Sequence, residues 1–390
     1  MSSNEHPDLQ RRALLVSMLG ALAMPTAYAR LGEQSELTLF DAAPLGDLML
    51  ANRIVMAPLT RGRAGESRTP NPLMAEYYAQ RSSAGLIITE GTAISEQAYG
   101  WGGSPGIYTQ AHVEGWKQIT DAAHRKGGRI FLQLWHTGRV SHPYFQNGET
   151  PIGPSAIAAN GDAYTPSGKE PYVTPRAMTQ QDIDATVEEY ARATELAKEA
   201  GFDGVEIHAA NGYLIDQFIR DGSNQRTDAY GGSTENRLRF LLEVTDAVVG
   251  AWSAERVGVR LSPTNAFNDM SDSNPDATFT AAAAELNKYG LAYLHVLDED
   301  NADRGPDRTA LNMRKIYTGT YMLNQNYDFR SGTDAIQAGH ADLISYGRHY
   351  ISNPDLVERF RDGMPLSPLD PSTLYQGGAE GYTDYPVATP

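Results

Sequence analysis

The sequence predicts an α/β protein built as a (β/α)8 TIM barrel, and three observations predict it. Short apolar, β-branched runs recur eight times along the chain. Helical patterns lie between them. No internal repeat, low-complexity tract or linker divides the region that carries them. A chain of 390 residues with 41% hydrophobic content can bury one such core. A doubly wound open sheet is the rival arrangement, but it rarely needs eight units in one run.

Strands are expected at Ile54–Met56, Leu86–Thr89, Ile130–Leu134, Val205–His208, Val257–Leu261, Tyr293–Val296, Ile316–Leu323 and Leu343–Tyr346. The intervening helices are expected at Pro72–Arg81, Val113–Lys126, Gln181–Ala200, Thr234–Gly250, Ala277–Lys288, Phe329–Ala338 and Pro354–Arg361. Pro72 and Pro354 stand where a first helical turn tolerates proline, because the N–H it lacks has no intrahelical partner there. Gly127, Gly201, Gly290 and Gly339 fall where a helix C-terminus favours left-handed backbone. The segment from Thr137 to Met178 is broken by Pro143, Pro151, Pro154, Pro166, Pro171 and Pro175. It reads as a long lid-like loop over the face where the third strand ends.

Composition narrows the function. A formal charge of −16 argues against binding a phosphate backbone and fits a solvated acidic surface. With no cysteine, disulfides, thiolate metal sites, iron–sulfur clusters and Cys nucleophiles are all excluded. His136 and His142 match no common metal-ligand spacing, so no metal is expected. At the N-terminus, Arg11-Arg12 precedes an apolar run, Ala13 to Ala23, too short to span a bilayer. Ala27-Tyr28-Ala29 then offers a small-x-small cleavage pattern. Residues 1–29 therefore read as an export signal of the twin-arginine kind, leaving 30–390 as a single domain in the periplasm; a cytoplasmic protein is the alternative.

A barrel gathers its strand ends at one face, where its chemistry sits. Those ends carry Pro58 and Thr60 after the first strand, and Glu90 and Gly91 after the second. Gln133, Trp135 and His136 lie on the third, His208 on the fourth and Arg260 on the fifth. Gln325-Asn326 follow the seventh, and Gly347-Arg348 follow the eighth. Within His208-Ala209-Ala210-Asn211-Gly212-Tyr213, three polar groups gather where a strand hands over to a helix. The set is polar, mixed in hydrogen-bonding type and free of a carboxylate cluster. Gln133 offers a donor and an acceptor, Thr60 a hydroxyl and Arg260 a fixed cation, which suits a planar, amide-like heterocycle. The turns after the last two strands commonly bind phosphate in barrels. FMN satisfies both requirements.

The residues also carry a resemblance. NRIVMAPLTR at 52–61, EYYAQRSSAGLIITEGT at 76–92, GRIFLQLWHTGRVSH at 128–142 and HAANGYLIDQF at 208–218 run in that order. SNQRTDAYGGSTENR at 223–237, VGVRLSP at 257–263, ISYGRHYISNPDL at 344–356 and GGAEGYTDYP at 377–386 follow. From Leu39 to Pro386 the chain resembles the old yellow enzyme family. The resemblance implies a flavoprotein with non-covalent FMN, reduced by NAD(P)H, that reduces activated C=C bonds of α,β-unsaturated carbonyl or nitro compounds. It implies that Pro58, Thr60, Gly91, Gln133 and Arg260 contact the flavin ring, and that Asn326, Gly347 and Arg348 hold its phosphate. His208 and Asn211 would bond the substrate oxygen, Tyr213 would donate the proton, and Trp101, Trp135 and Tyr375 would shape the pocket. Four positions differ in detail. Asn211 stands where the family has His or Asn, and Gly91 where Ala is common. Trp101 takes a place more often held by Tyr, and Gln325-Asn326 replaces a glycine-rich pair. Nitrate-ester or steroid reduction on the same scaffold, or a non-flavin barrel lyase or isomerase, are the alternatives. The last is disfavoured for Schiff-base aldolases, since no lysine stands at a strand end.

Overall fold

A computed structural model describes residues 36–299 and 308–388. The expected export segment, 1–29, lies outside the described residues. Eight parallel strands close on themselves: β1 (Ile54–Met56), β2 (Leu86–Ile88), β3 (Ile130–Trp135), β4 (Gly204–Ala209), β5 (Val257–Leu261), β6 (Tyr293–Leu297), β7 (Tyr321–Asn324) and β8 (Leu343–Tyr346). Each pairs with the next, and β8 returns to β1 through Ser345 opposite Val55. Outside lie α1 (Pro72–Gln80), α2 (Gln110–Arg125), α3 (Gln180–Glu199), α4 (Thr234–Ala251), α5 (Pro275–Leu286), α6 (Thr309–Ile316), α7 (Phe329–Gln337) and α8 (Leu356–Asp362). This is the predicted TIM barrel.

Local chemistry starts and stops these helices. Asn71, Thr109, Ser233 and Asn274 accept a backbone N–H from the first turn of α1, α2, α4 and α5. Thr179 with Asp182, and Asp328 with Ser331, close reciprocal caps on α3 and α7. Gly127, Gly201 and Gly339 stand one residue past the caps of α2, α3 and α7, with φ of 79°, 84° and 69°.

Three expectations need correction. The strand expected from Ile316 begins only at Tyr321, because Ile316 ends α6 and the Tyr317 N–H closes that helix on Met313 O at 2.9 Å. An apolar β-branched residue beside an aromatic looked like a strand, but Ile316 is the exposed last residue of a helix and the buried Tyr317 caps it. Pro354 does not open a helix, since α8 starts after Asp355, and Arg348–Ser352 forms a short helix of its own. The 137–178 segment is also less irregular than its prolines suggest. It carries a 3-10 turn at Pro143–Gln146, a parallel pair of Ile152–Gly153 with Arg176–Ala177, and a hairpin of Asp162–Thr165 with Gly168–Pro171.

The barrel interior obeys the two-residue period of a strand. Leu132, Leu134, Val205, Ile207, Val257, Val259, Leu294 and Val296 pack outward beneath the helices. The alternate positions point inward and change character along the axis. Val55, Leu86, Ile88, Phe131, Tyr293, Met322 and Leu343 form an apolar layer, against which pack Ala43, Leu45 and Leu50 of an N-terminal hairpin (Ala43–Leu45 with Leu48–Leu50). One step on, Gln133, Glu206, Arg260, His295, Asn324 and Ser345 make the interior polar, all of them buried. The sealed layer excludes water from one end, so the chemistry has only the other.

In the sealed layer, Gly258 leaves room for Tyr293: a Cβ at 258 would lie 2.2 Å from Tyr293 Cζ, and that ring is fully buried. Gly258→Ala should cost about 1–3 kcal/mol by overpacking. Thermal unfolding should show a lowered midpoint; an unchanged midpoint would mean that the ring can move aside.

Candidate active site

The polar layer is a connected network. Gln133 Nε2 donates to Glu206 Oε1 at 2.8 Å, and Glu206 Oε2 lies 2.8 Å from His295 Nδ1. His295 Nε2 is 2.7 Å from Ser345 Oγ. Arg260 Nη1 sits 3.1 and 3.3 Å from the two His295 ring nitrogens, and its Nη2 donates to Asn324 Oδ1 at 2.9 Å. Asn324 Nδ2 in turn donates to Ser345 O at 2.8 Å.

The protonation states follow from these partners. Burial, then the Arg260 charge, lowers His295 to about 4, so it is neutral at physiological pH. A carboxylate can only accept, so His295 Nδ1 carries the proton toward Glu206 and Nε2 accepts from the Ser345 hydroxyl. Burial pushes the Glu206 carboxyl up, but the His295 contact, the Arg260 charge and the Gln133 amide outweigh it and hold the group ionised. Burial also lowers Arg260 to about 10, opposed by Glu206, which leaves it a cation. Gln133 must turn its NH₂ to Glu206, so its amide oxygen is the atom left for a ligand. Arg260 Nε is buried with no acceptor among the described residues.

Above this network stands the end of β4. Asn211 and Gly212 both take left-handed backbone, φ 59° and 73°, which reverses the chain after the strand. Asn211 N–H donates to Ser262 Oγ at 2.7 Å, and Asn268 Nδ2 donates to Asn211 O at 2.8 Å. Gly212 N–H donates to Asp216 Oδ2 at 2.8 Å, and the fully buried Asp216 is paired with Arg220 at 2.9 Å. The turn is thus held by a carboxylate from the short helix Leu214–Ile219 that follows it. Asn265 Nδ2 donates to Asn211 Oδ1 at 3.2 Å, which aims the Asn211 NH₂ elsewhere.

The same turn delivers Tyr213 between His208 and Trp135. Its ring centroid is 5.0 Å from that of His208 and 4.9 Å from that of Trp135, edge to face in both cases. Burial, then the Arg260 and His295 neighbours, holds His208 well below its ordinary range, so it is neutral; its Nδ1 is buried without a partner among the described residues. Burial, then Tyr172, raises Tyr213, while the Asn268 and Trp101 side chains pull it back; the hydroxyl keeps its proton.

Trp101 lines the mouth. Tyr164 of the loop hairpin lies near-parallel to it at 6.0 Å, and Tyr375 lies tilted at 6.0 Å. Tyr375 reaches this place because Arg61, after β1, clamps the C-terminal segment: its Nε donates to Leu374 O and its Nη2 to Gly381 O, both at 2.8 Å. Gly91 fits here for a packing reason, since a Cβ would lie 2.8 Å from the Trp135 ring. Pro58 and Thr60 follow β1 and are half-buried. Across the mouth, Gln325 and Asn326 have φ of 90° and 55°, and Gly347 precedes the short helix that the exposed Arg348 opens. The turns after β7 and β8 are neighbours, because those strands pair.

The parallel strands carry the proposed strand-end residues to the same end of the barrel, where His208, Trp135, Tyr213, Trp101 and Tyr375 are linked by ring contacts and packing. Two other strand-end residues do not join the site. Glu90 is buried and accepts the Arg61 and Gly62 N–H groups, so it anchors the loop after β1. His136 accepts from the Gly138 N–H at 3.0 Å and is lowered to about 3 by burial. In the sequence, Asn324 has a place after the seventh strand but no task, and His295, Ser345, Asp216 and Tyr164 have no site role. His295 and Ser345 were open to discovery, because inward parity in a strand assigns them to the same lining as Arg260. Asp216 and Tyr164 depend on turn geometry that no pattern in the sequence announces.

Histidines buried neutral give acid stability a sign. His136, His208 and His295 all titrate below the unfolded value of about 6.5. Below pH 6.5 the unfolded chain binds protons that the folded chain refuses. Stability is thus fully present above that pH and falls by up to about 1.4 kcal/mol per pH unit for each group. Urea midpoints measured from pH 7 down to 4.5 should decline; a flat profile would show that the histidines are charged in the fold.

Comparison with known proteins agrees with this geometry. Residues 38–367 match the model of the NADH:flavin oxidoreductase / NADH oxidase family. A probable flavin mononucleotide-dependent alkene reductase of Leishmania infantum is 44% identical over 350 residues, which is 88% of this chain and 95% of that one. The 12-oxophytodienoate reductase 1 of Oryza sativa subsp. japonica is 44% identical over 372 residues, covering 93% of this chain and 96% of the relative. Morphinone reductase in complex with tetrahydroNAD superposes with a TM-score of 0.87 at 46% identity, over 90% of this chain and 98% of that structure. The chain belongs to the NADH:flavin oxidoreductase / NADH oxidase family, the old yellow enzymes, and is an FMN-dependent oxidoreductase with the ene-reductase activity of that group.

Proposed function

We propose that this barrel mouth reduces electron-poor alkenes, enones and nitroalkenes, with Tyr213 as the proton donor and His208 and Asn211 as the oxygen-binding pair. One observation carries the reading: a neutral imidazole, an amide held by Asn265 and a hydroxyl that keeps its proton converge at the end of β4 and the turn after it. His208 and the Asn211 NH₂ donate to the carbonyl or nitro oxygen and draw electron density from the double bond. Tyr213 then gives its proton to the α carbon, a task suited to a phenol and not to a base. Trp135 fixes the Tyr213 ring, while Trp101, Tyr164 and Tyr375 offer flat faces that favour ring-bearing substrates.

The residues present fit FMN. The orphaned Arg260 Nε and the remaining Gln133 oxygen supply a donor and an acceptor for the pyrimidine end of the ring. Pro58, Thr60 and Gly91 would flank it. The left-handed backbone at Asn326, with Gly347 and the Arg348 cation, would take the phosphate. Bound FMN supplies the two-electron chemistry, taking electrons from NAD(P)H and passing them to the alkene. The described residues contribute position, charge and a proton.

Tyr213→Phe should slow alkene reduction by roughly 10²–10⁴-fold while NAD(P)H oxidation stays within about twofold. Stopped-flow measurement of the two half-reactions checks this; equal loss in both would remove the proton-donor role. Purified protein that shows no flavin absorption even after addition of FMN would overturn the cofactor assignment.

We further propose that the protein is exported folded to the periplasm. Arg11-Arg12, the short apolar run and Ala27-Tyr28-Ala29 support it, as does the need to acquire FMN before crossing. Fractionation of cells making the full chain should yield a periplasmic flavoprotein beginning near residue 30; an uncleaved cytosolic product would contradict this.

A further inference from the structure

We propose that Glu206 sets the reduction potential of the bound flavin as a buried counter-anion to Arg260, with His295 lodged between the two charges. The inference rests on the placement of Arg260 against the flavin given above. Glu206 takes no part in substrate binding. It sits on the inner face of β4, two residues below His208, and is fully buried. Its carboxylate meets Gln133 at 2.8 Å and His295 at 2.8 Å, both of which lead to the ring-binding layer. Arg260 closes the chain on the other side of His295, at 3.1 Å.

A reduced flavin gathers negative charge at its pyrimidine end. The Arg260 cation favours that charge, and a carboxylate one side chain further away opposes it. In a water-excluded layer neither effect is screened as it would be at the surface. Glu206 is therefore an electrostatic positioning residue. It keeps Arg260 fixed and charged, and it tempers how far that charge raises the potential. Charge and packing predict opposite signs for its removal. Loss of the anion leaves the Arg260 charge uncompensated and moves the potential upward. A merely structural loss would let Arg260 drift away and move the potential downward.

The test is redox equilibration of the FMN-loaded enzyme with a reference dye at pH 7, for the native chain, Glu206→Gln, Glu206→Asp and Arg260→Met. Glu206→Gln should shift the two-electron equilibrium toward reduced flavin by at least tenfold, about 30 mV. Glu206→Asp keeps the charge and should stay within threefold. Arg260→Met should shift toward oxidised flavin. If Glu206→Gln is unchanged or shifts downward while Arg260→Met responds, the counter-anion role is overturned and the Arg260 placement stands. If Arg260→Met does not respond, the placement itself fails. Should Glu206→Gln not accumulate as a flavoprotein, Glu206→Asp decides, because a tenfold change there would show that packing and not charge sets the value.

Discussion

A guanidinium inside a barrel is tolerable only with an anion and acceptors around it, and the upper interior here is arranged about that requirement for Arg260. Desolvating an unpaired charge costs on the order of several kcal/mol. Asn324 takes one nitrogen, His295 another, and the Glu206 carboxylate balances the charge from behind. Because Glu206 must accept, His295 is fixed as one tautomer and Gln133 is turned so that its oxygen faces outward. Four side chains are thus oriented before any ligand arrives. This preorganisation lets a site supply electrostatic stabilisation without rearranging.

The closed sheet makes the arrangement possible. Parallel strands in register align alternate residues in layers, so Phe131, Gln133 and Trp135 on one strand climb from an apolar floor through the polar network to the mouth. The floor is plugged by Tyr293 and a hairpin, and the mouth is roofed by the Tyr164 hairpin and the clamped C-terminal segment. Water reaches the polar layer from one side only. The β4 turn then aims Tyr213 across that opening, held in its left-handed bend by Asp216.

Much of this was legible in the residues. Eight apolar runs with helical intervals predicted the barrel, and strand ends predicted which side chains would meet. Boundary errors came where apolar character is shared by helices and strands, as at Ile316-Tyr317. The turn after β4 was visible as His208, Asn211 and Tyr213. What holds it was not, because Asp216 and Ser262 act through backbone geometry that leaves no period in the sequence. The Glu206–His295 contact lay between these cases. Parity put both residues inside the barrel, but only the fold shows that they touch and that Arg260 completes the set.

The most direct test of the account is the fate of the two hydrogens. An α-substituted enone reduced with protiated NAD(P)H in D₂O should gain protium at the β carbon. It should gain deuterium at the α carbon on a single face, delivered by the exchanged Tyr213 hydroxyl. An α centre already racemic in the first turnovers would show that the proton does not come from a residue fixed at the β4 turn.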